Sequence, residues 1–188
     1  IPGADFLHML DDLSDAAAPV PYTPPPPWEL ARRLAAKGAD LSADLFVLYG
    51  EGAEMAAHRA WWVLSQAGAE ALILDGGLGA WRAAGLPTET GAPAPPAPVP
   101  PPAALPAPRP DWLATKAQVA AALGDPATAL LNALPEELHR GEGDQVFGRR
   151  GRIAGSLSLP AAEVVDPATG RFRPPEAIRA RLAATLPA

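Results

Sequence analysis

Four arginines crowd one connection near the end of the chain: Arg140, Arg149, Arg150 and Arg152. A guanidinium presents a planar fork of donors that matches carboxylate and sulfonate-like oxygens, so this loop could hold a small anion. The plain alternative is a solvated loop whose arginines pair with acids; both readings stand for Arg140 and Arg152, and solvation is preferred for Arg149 and Arg150. A second locus, Gly50-Glu51-Gly52-Ala53-Glu54-Met55, begins like the dinucleotide fingerprint Gly-x-Gly-x-x-Gly. Met55 occupies the third glycine position, where helix and strand must approach closely, which argues against a nucleotide site. His8, His58 and His139 do not fall at metal-ligand spacing. The acidic stretch Asp11-Asp12-Leu13-Ser14-Asp15 reads as a solvated turn rather than a cation site. Ser156 and Ser158 lack the glycines of a nucleophile elbow. The chain has no cysteine, so it holds no thiol nucleophile, disulfide or thiolate metal site.

The elements that position these residues alternate. A helical pattern over residues 28–37 stops at Gly38, and the apolar run of residues 45–49, bounded by Asp44 and Gly50, has no helical period and reads as a buried strand. A second helix over 55–67 closes at Gly68, a second strand covers 71–74, and a short helix over 78–84 ends at Gly85. Strands joined by helix-length crossovers imply a parallel sheet with helices on both faces. Further on, Thr115-Lys116-Ala117-Gln118 fits a capping box for a helix reaching Leu123. Residues 129–132 and 157–159 read as strands, and a last helix starts near Glu176.

Composition divides the chain and narrows its class. Twenty-five prolines are unevenly spread, and between Gly91 and Pro110 nearly every other residue is Pro with Ala between, favouring an extended, donor-poor strap. A ligand for a proline-recognising module is the alternative reading of that stretch. A net charge of −6 argues against a general nucleic-acid surface, and no uninterrupted apolar stretch has bilayer length. The expected compartment is the cytoplasm, although a chain that starts at Ile1 leaves room for an upstream targeting segment.

The chain also repeats itself. Ile1-Pro2-Gly3-Ala4 returns as Ile153-Ala154-Gly155-Ser156, displaced by 152 residues, and the helix containing Leu34 returns around Leu182, displaced by 148. So small a drift indicates two homologous units with short loop changes.

These residues resemble the tandem-domain rhodanese-type sulfurtransferases. Ile73-Leu74-Asp75-Gly76-Gly77-Leu78-Gly79-Ala80-Trp81 with Ala84-Gly85-Leu86-Pro87 looks like the signature near the end of that family's first domain. Gly151-Arg152-Ile153-Ala154-Gly155-Ser156 is similar to its Gly-His-Ile-Pro-Gly-Ala motif, and Arg59-Ala60-Trp61-Trp62 to the helix after its first-domain loop. The resemblance implies an α/β fold of two rhodanese-like domains, each a parallel sheet flanked by helices and each incomplete in this chain. The boundaries would be 1–90 for a non-catalytic first domain, 91–110 for a Pro/Ala linker and 111–188 for the second domain. It further implies transfer of sulfane sulfur from an anionic donor, thiosulfate or 3-mercaptopyruvate, to a thiol or cyanide through a Cys persulfide. No cofactor, nucleic acid or membrane partner is implied, and a non-catalytic binding or regulatory module is the alternative. In that frame Gly50 stands where a catalytic Cys would be in the first domain, and the repeat offset places the second domain's loop beyond Ala188. The chain alone is therefore expected to be inactive. Arg140 and Arg152 become candidate donor-binding residues. Asn132-Ala133-Leu134 stands where the family commonly has Asp-x-Arg, and Leu134 cannot bind an anion.

Overall fold

The computed structural model describes residues 1–51, 55–91, 94, 96–144 and 148–186. They form two units, Ile1–Leu113 and Ala114–Ala188.

In the first unit α1 spans Pro27–Ala36, with proline in its first turn, where a missing N–H loses no intrahelical bond. Leu30, Ala31, Leu34 and Ala35 make its buried stripe. Strand β1 (Leu45–Leu48) leads through α2 (Met55–Gln66) to β2 (Glu70–Ile73), and α3 spans Gly77–Ala83. The two strands run parallel, with Leu45 opposite Glu70 and Leu48 opposite Ile73. Parallel neighbours cannot be joined by a tight turn, so α2 serves as the crossover. Leu13, Leu30, Leu34, Leu41, Val63 and Leu64 form the core, packed on Phe46, Leu48 and Ala71.

Two sequence expectations need correction here. Strand β1 ends one residue earlier than read and β2 is displaced by one residue toward the N-terminus, and the sheet is not covered on both faces by the described residues. Leu45, Val47 and Leu72 are 55%, 54% and 55% exposed, while their alternating neighbours Phe46, Leu48 and Ala71 face the core. A strand's period of two makes such a split automatic once only one face is packed.

The second unit contains α4 (Lys116–Ala121), β3 (Leu131–Asn132), α5 (Glu136–Arg140), β4 (Leu157–Ser158), a 3-10 turn (Ala161–Val164) and α6 (Pro175–Thr185). Its capping box is complete: Thr115 Oγ1 accepts from the Gln118 N–H at 3.2 Å, and Gln118 Oε1 accepts from the Thr115 N–H at 2.7 Å. The parallel pair β3–β4 is only two residues long, pairing Leu131 with Leu157 and Asn132 with Ser158. Among the described residues of this unit, only His139 and Pro160 are buried. No described helix is long and apolar enough to cross a membrane.

The sequence repeat is also a repeat of local structure. The N–H of Ala4 donates to the carbonyl of Ile1 at 3.2 Å with Gly3 at φ 73°, and the N–H of Ser156 donates to that of Ile153 at 3.1 Å with Gly155 at φ 80°. Each is a four-residue turn with its third position in the left-handed region, which glycine enters without steric cost. A Cβ would meet nothing within 4 Å at either glycine, so the dihedral rather than close packing requires it. Helices α1 and α6 likewise both follow a proline N-cap, Pro26 and Pro174. Even an arginine recurs at the helix displacement. Arg33 donates from Nη1 to the carbonyls of Asp11 and Ser14, each at 2.8 Å, and Arg181 Nε pairs with Glu163.

On α1, Glu29 accepts from both Arg32 and Arg33 at 2.7–2.9 Å, and hydrogen bonding to these guanidinium groups, Arg32 first, lowers its pKa from 4.5 to about 2. A carboxylate whose pKa falls on folding adds stability that is complete above its unfolded value and is lost as pH falls through the folded one. The difference in Tm between the native chain and Glu29→Gln is therefore expected to be constant above pH 4.5 and to close as pH approaches 2. A gap that persists unchanged across that interval in thermal melts would remove the ionised carboxylate from this account.

Candidate functional site

In a parallel sheet the loops after the strands collect at one end, and here β1 delivers Gly50 and Glu51 beside the start of α3. The N–H of Leu74 donates to the carbonyl of Leu48 at 2.8 Å, and the N–H of Leu78 donates to that of Gly50 at 3.0 Å, so the loop is fastened to the first turn of α3. Gly76 caps that helix at φ 79°. Glu51 reaches Arg82 at 2.5 Å, which offsets its negative charge at this loop. Met55 opens α2 and is exposed. Gly52, Ala53 and Glu54 lie outside the described residues. The described part offers backbone polar groups, one paired carboxylate and no nucleophile.

The second locus is built on α5 and the repeated turn. Glu136 lies one helical turn before Arg140, and the pair stands at 3.8 Å; Arg140 Nε also donates to Glu142 at 3.0 Å. Gly141 closes the helix at φ 84°. Arg152 Nη1 donates to the carbonyl of His139 at 3.2 Å, supplying one of the partners that a helix C-terminus lacks. The fold thus brings both predicted arginines to the last turn of α5. It gives each an internal partner, with Arg140 held between two carboxylates and still half exposed. Arg149 and Arg150 are exposed.

Glu136 has a second role that the sequence did not suggest. It accepts from the Ser158 hydroxyl, and this bond lowers its pKa, with smaller contributions from His139, Arg140 and Arg181. Ser158 sits opposite Asn132 across the β3–β4 ladder, so the carboxylate ties α5 to the sheet. His139 is buried, and its Nδ1 lacks a hydrogen-bond partner.

At the end of β3, Asn132 Oδ1 accepts from the N–H of Leu134 at 2.9 Å, a side-chain turn that Asp could form equally well. Asn132 therefore keeps the structural half of the Asp-x-Arg pattern. Leu134 is 46% exposed and supplies no charge. Among the described residues no group of three or more His, Cys, Asp or Glu is placed to hold a metal ion.

The similarities to known proteins agree with this geometry. No family model matches the chain. A Pseudomonas aeruginosa protein named "Probable 3-mercaptopyruvate sulfurtransferase" is 36% identical over 194 residues, covering 99% of this chain and 65% of that protein. The 3-mercaptopyruvate sulfurtransferase of Escherichia coli K12 is 33% identical over 168 residues, covering 88% of this chain and 58% of that protein. The crystal structure of SseA from Escherichia coli, a rhodanese fold, superposes with a TM-score of 0.80 at 27% identity, covering all of this chain and 68% of that one. The chain thus spans less than two thirds of the length of the curated relatives it matches. Likeness over nearly the whole chain to these sulfurtransferases, together with the superposition on SseA, places the chain in the rhodanese family.

Proposed function

We propose that the chain is part of a rhodanese-type sulfurtransferase acting on thiosulfate or 3-mercaptopyruvate. The supporting observation is likeness across almost the whole chain to proteins named 3-mercaptopyruvate sulfurtransferases. In this reading residues 1–90 are a non-catalytic first domain, 91–110 the connecting segment and 111–188 part of the second domain. The nucleophile is a Cys beyond Ala188, working in the cytoplasm without a cofactor. Its thiolate attacks the outer sulfur of thiosulfate, the S–S bond of the donor breaks, and sulfite leaves with the bonding electron pair. Cyanide or a thiolate acceptor then attacks the outer sulfur of the persulfide and the cysteine thiolate is released. A loop of backbone N–H groups at a helix N-terminus suits this chemistry because it favours both thiolate and persulfide anions.

Arg140 and Arg152 are assigned to the donor's charged oxygens. Arg140 meets such an anion by exchanging Glu142 or Glu136 for it, which requires only a side-chain rotation at a half-exposed position. A non-catalytic binding module is the second reading, favoured by Leu134 at the position of an anion-binding arginine.

Residues 1–188 alone are expected to release no thiocyanate from thiosulfate and cyanide above a buffer blank; release would overturn the assignment of the nucleophile. In the full-length protein Arg140→Ala is expected to raise KM for thiosulfate about tenfold or more, the scale of one charge-assisted hydrogen bond, with kcat nearly unchanged. An unchanged KM would return Arg140 to a purely structural role. Absence of any persulfide after treatment of the full-length protein with donor would favour the binding module.

A further inference from the structure

The proline-rich segment contains a repeat of its own: Pro96-Ala97-Pro98-Val99-Pro100 returns ten residues later as Pro106-Ala107-Pro108-Arg109-Pro110. In each copy the residue between the last two prolines carries a backbone N–H, and in each copy that N–H is used. Val99 donates to the carbonyl of Ala35 at 2.9 Å, and Arg109 donates to that of Gln66 at 2.8 Å. Ala35 lies in the last turn of α1 and Gln66 in the last turn of α2. Helix ends leave their final carbonyls short of intrahelical donors, and each copy bonds one of them; the acceptors differ by one position, since the Ala35 carbonyl also accepts from the Gly38 N–H at 3.0 Å, whereas the Gly68 N–H goes to Ser65.

The second half of each contact is steric. Gly38 follows α1 at φ 78°, and a Cβ there would lie 2.8 Å from the carbonyl oxygen of Ala97 and 2.9 Å from Pro96 Cβ. Gly68 follows α2 at φ 94°, where a Cβ would collide with the Ala107 carbonyl and lie 3.0 Å from Pro106 Cβ. Equivalent atoms of the two copies therefore touch equivalent glycines. The glycines after α3 and α4 provide the contrast. Gly85 and Gly124 also have positive φ, at 68° and 84°, but a Cβ on either meets nothing within 4 Å. Glycine at Gly38 and Gly68 is required twice, once by the dihedral and once by the segment laid across it.

We propose that the C-terminal ends of α1 and α2 are two related binding sites for a Pro-Ala-Pro-x-Pro segment, both occupied by this chain's own strap. Each site meets the alanine through its backbone carbonyl, laid across the glycine, and takes up the N–H of the x residue. Prolines on both sides hold that N–H in place and remove competing donors. Between the sites the Ser42 hydroxyl donates to the carbonyl of Ala104 at 3.0 Å. Beyond the second site Trp112 packs on Trp61 at 5.4 Å, with the Arg109 guanidinium 5.0 Å above the Trp112 ring. On this account the segment is a ligand for its own domain, and its proline content is a recognition code rather than a means of spacing.

The proposal is independent of sulfur transfer and is tested by amide hydrogen exchange on the purified 188-residue chain. Gly38→Ala is expected to speed exchange of the Val99 amide about tenfold or more, and Gly68→Ala to do the same at Arg109. Gly85→Ala and Gly124→Ala, which carry the dihedral strain without the collision, should leave both amides unchanged. A second arm covers general destabilisation. With Pro96-Ala97-Pro98-Val99 replaced by Gly-Ser-Gly-Ser, Gly38→Ala should lower Tm no more than Gly85→Ala does. Equal exchange at Val99 in Gly38→Ala and Gly85→Ala, or an excess Tm loss for Gly38→Ala that survives replacement of the strap, would overturn it.

Discussion

The first unit is organised by the requirement that parallel strands be joined from opposite ends. From the end of β1 the chain must climb back along α2 before it can start β2, and this single crossover fixes three things at once. It lays Ala60, Val63 and Leu64 against the strands, it sets the loop at Gly50 above the sheet's carboxyl end, and it brings the start of α3 beside that loop. The described part of that loop is fastened through the Gly50 carbonyl to the first turn of α3.

The duplicated turn shows which parts of a domain outlast divergence. Ile1 to Ala4 and Ile153 to Ser156 share a hydrogen bond and a left-handed glycine, while proline at the second position has given way to alanine. That exchange is tolerated because proline only pre-sets a φ that alanine can also adopt. Arg33 and Arg181 illustrate a looser equivalence. Both brace a helix against the segment before it, one through backbone carbonyls and the other through a carboxylate. Position is retained and partner chemistry is free to change.

Much of this was legible in residues alone, and the failures have physical causes. Helices with a proline start and a glycine stop, the capping box of Thr115 and Gln118, and the four short strand runs are local features, and they stand within a residue or two of where the pattern puts them. The exposure of Leu45, Val47 and Leu72 was not legible, because an apolar run does not report how many faces are packed. At the arginine loop the sequence supplied the residues but not their partners. The spacing of Glu136 and Arg140 was open to reading as a helical pair; the hydroxyl of Ser158 on Glu136 depends on a register set by tertiary pairing. The stretch Asn132-Ala133-Leu134 was read through Leu134, which cannot bind an anion, and the Asn132 side chain completes a turn that this reading passed over. The docking of the strap escaped because its signal is a repeat inside a stretch whose monotony conceals it.

Among the described residues the buried aliphatic side chains all fall between Leu13 and Leu78, and in the second unit the apolar burial is confined to Pro160. Sequence drift therefore meets two different landscapes in one polypeptide. In the first unit shortening a side chain such as Leu34 or Leu64 leaves a void that neighbours fill only in part, at about 2–5 kcal/mol. In the second unit the described side chains enclose no comparable volume, and substitutions there are constrained mainly by glycine dihedrals and hydrogen bonds. One half of the chain is governed by volume and the other by backbone geometry, so the same amino-acid exchange carries different consequences in each.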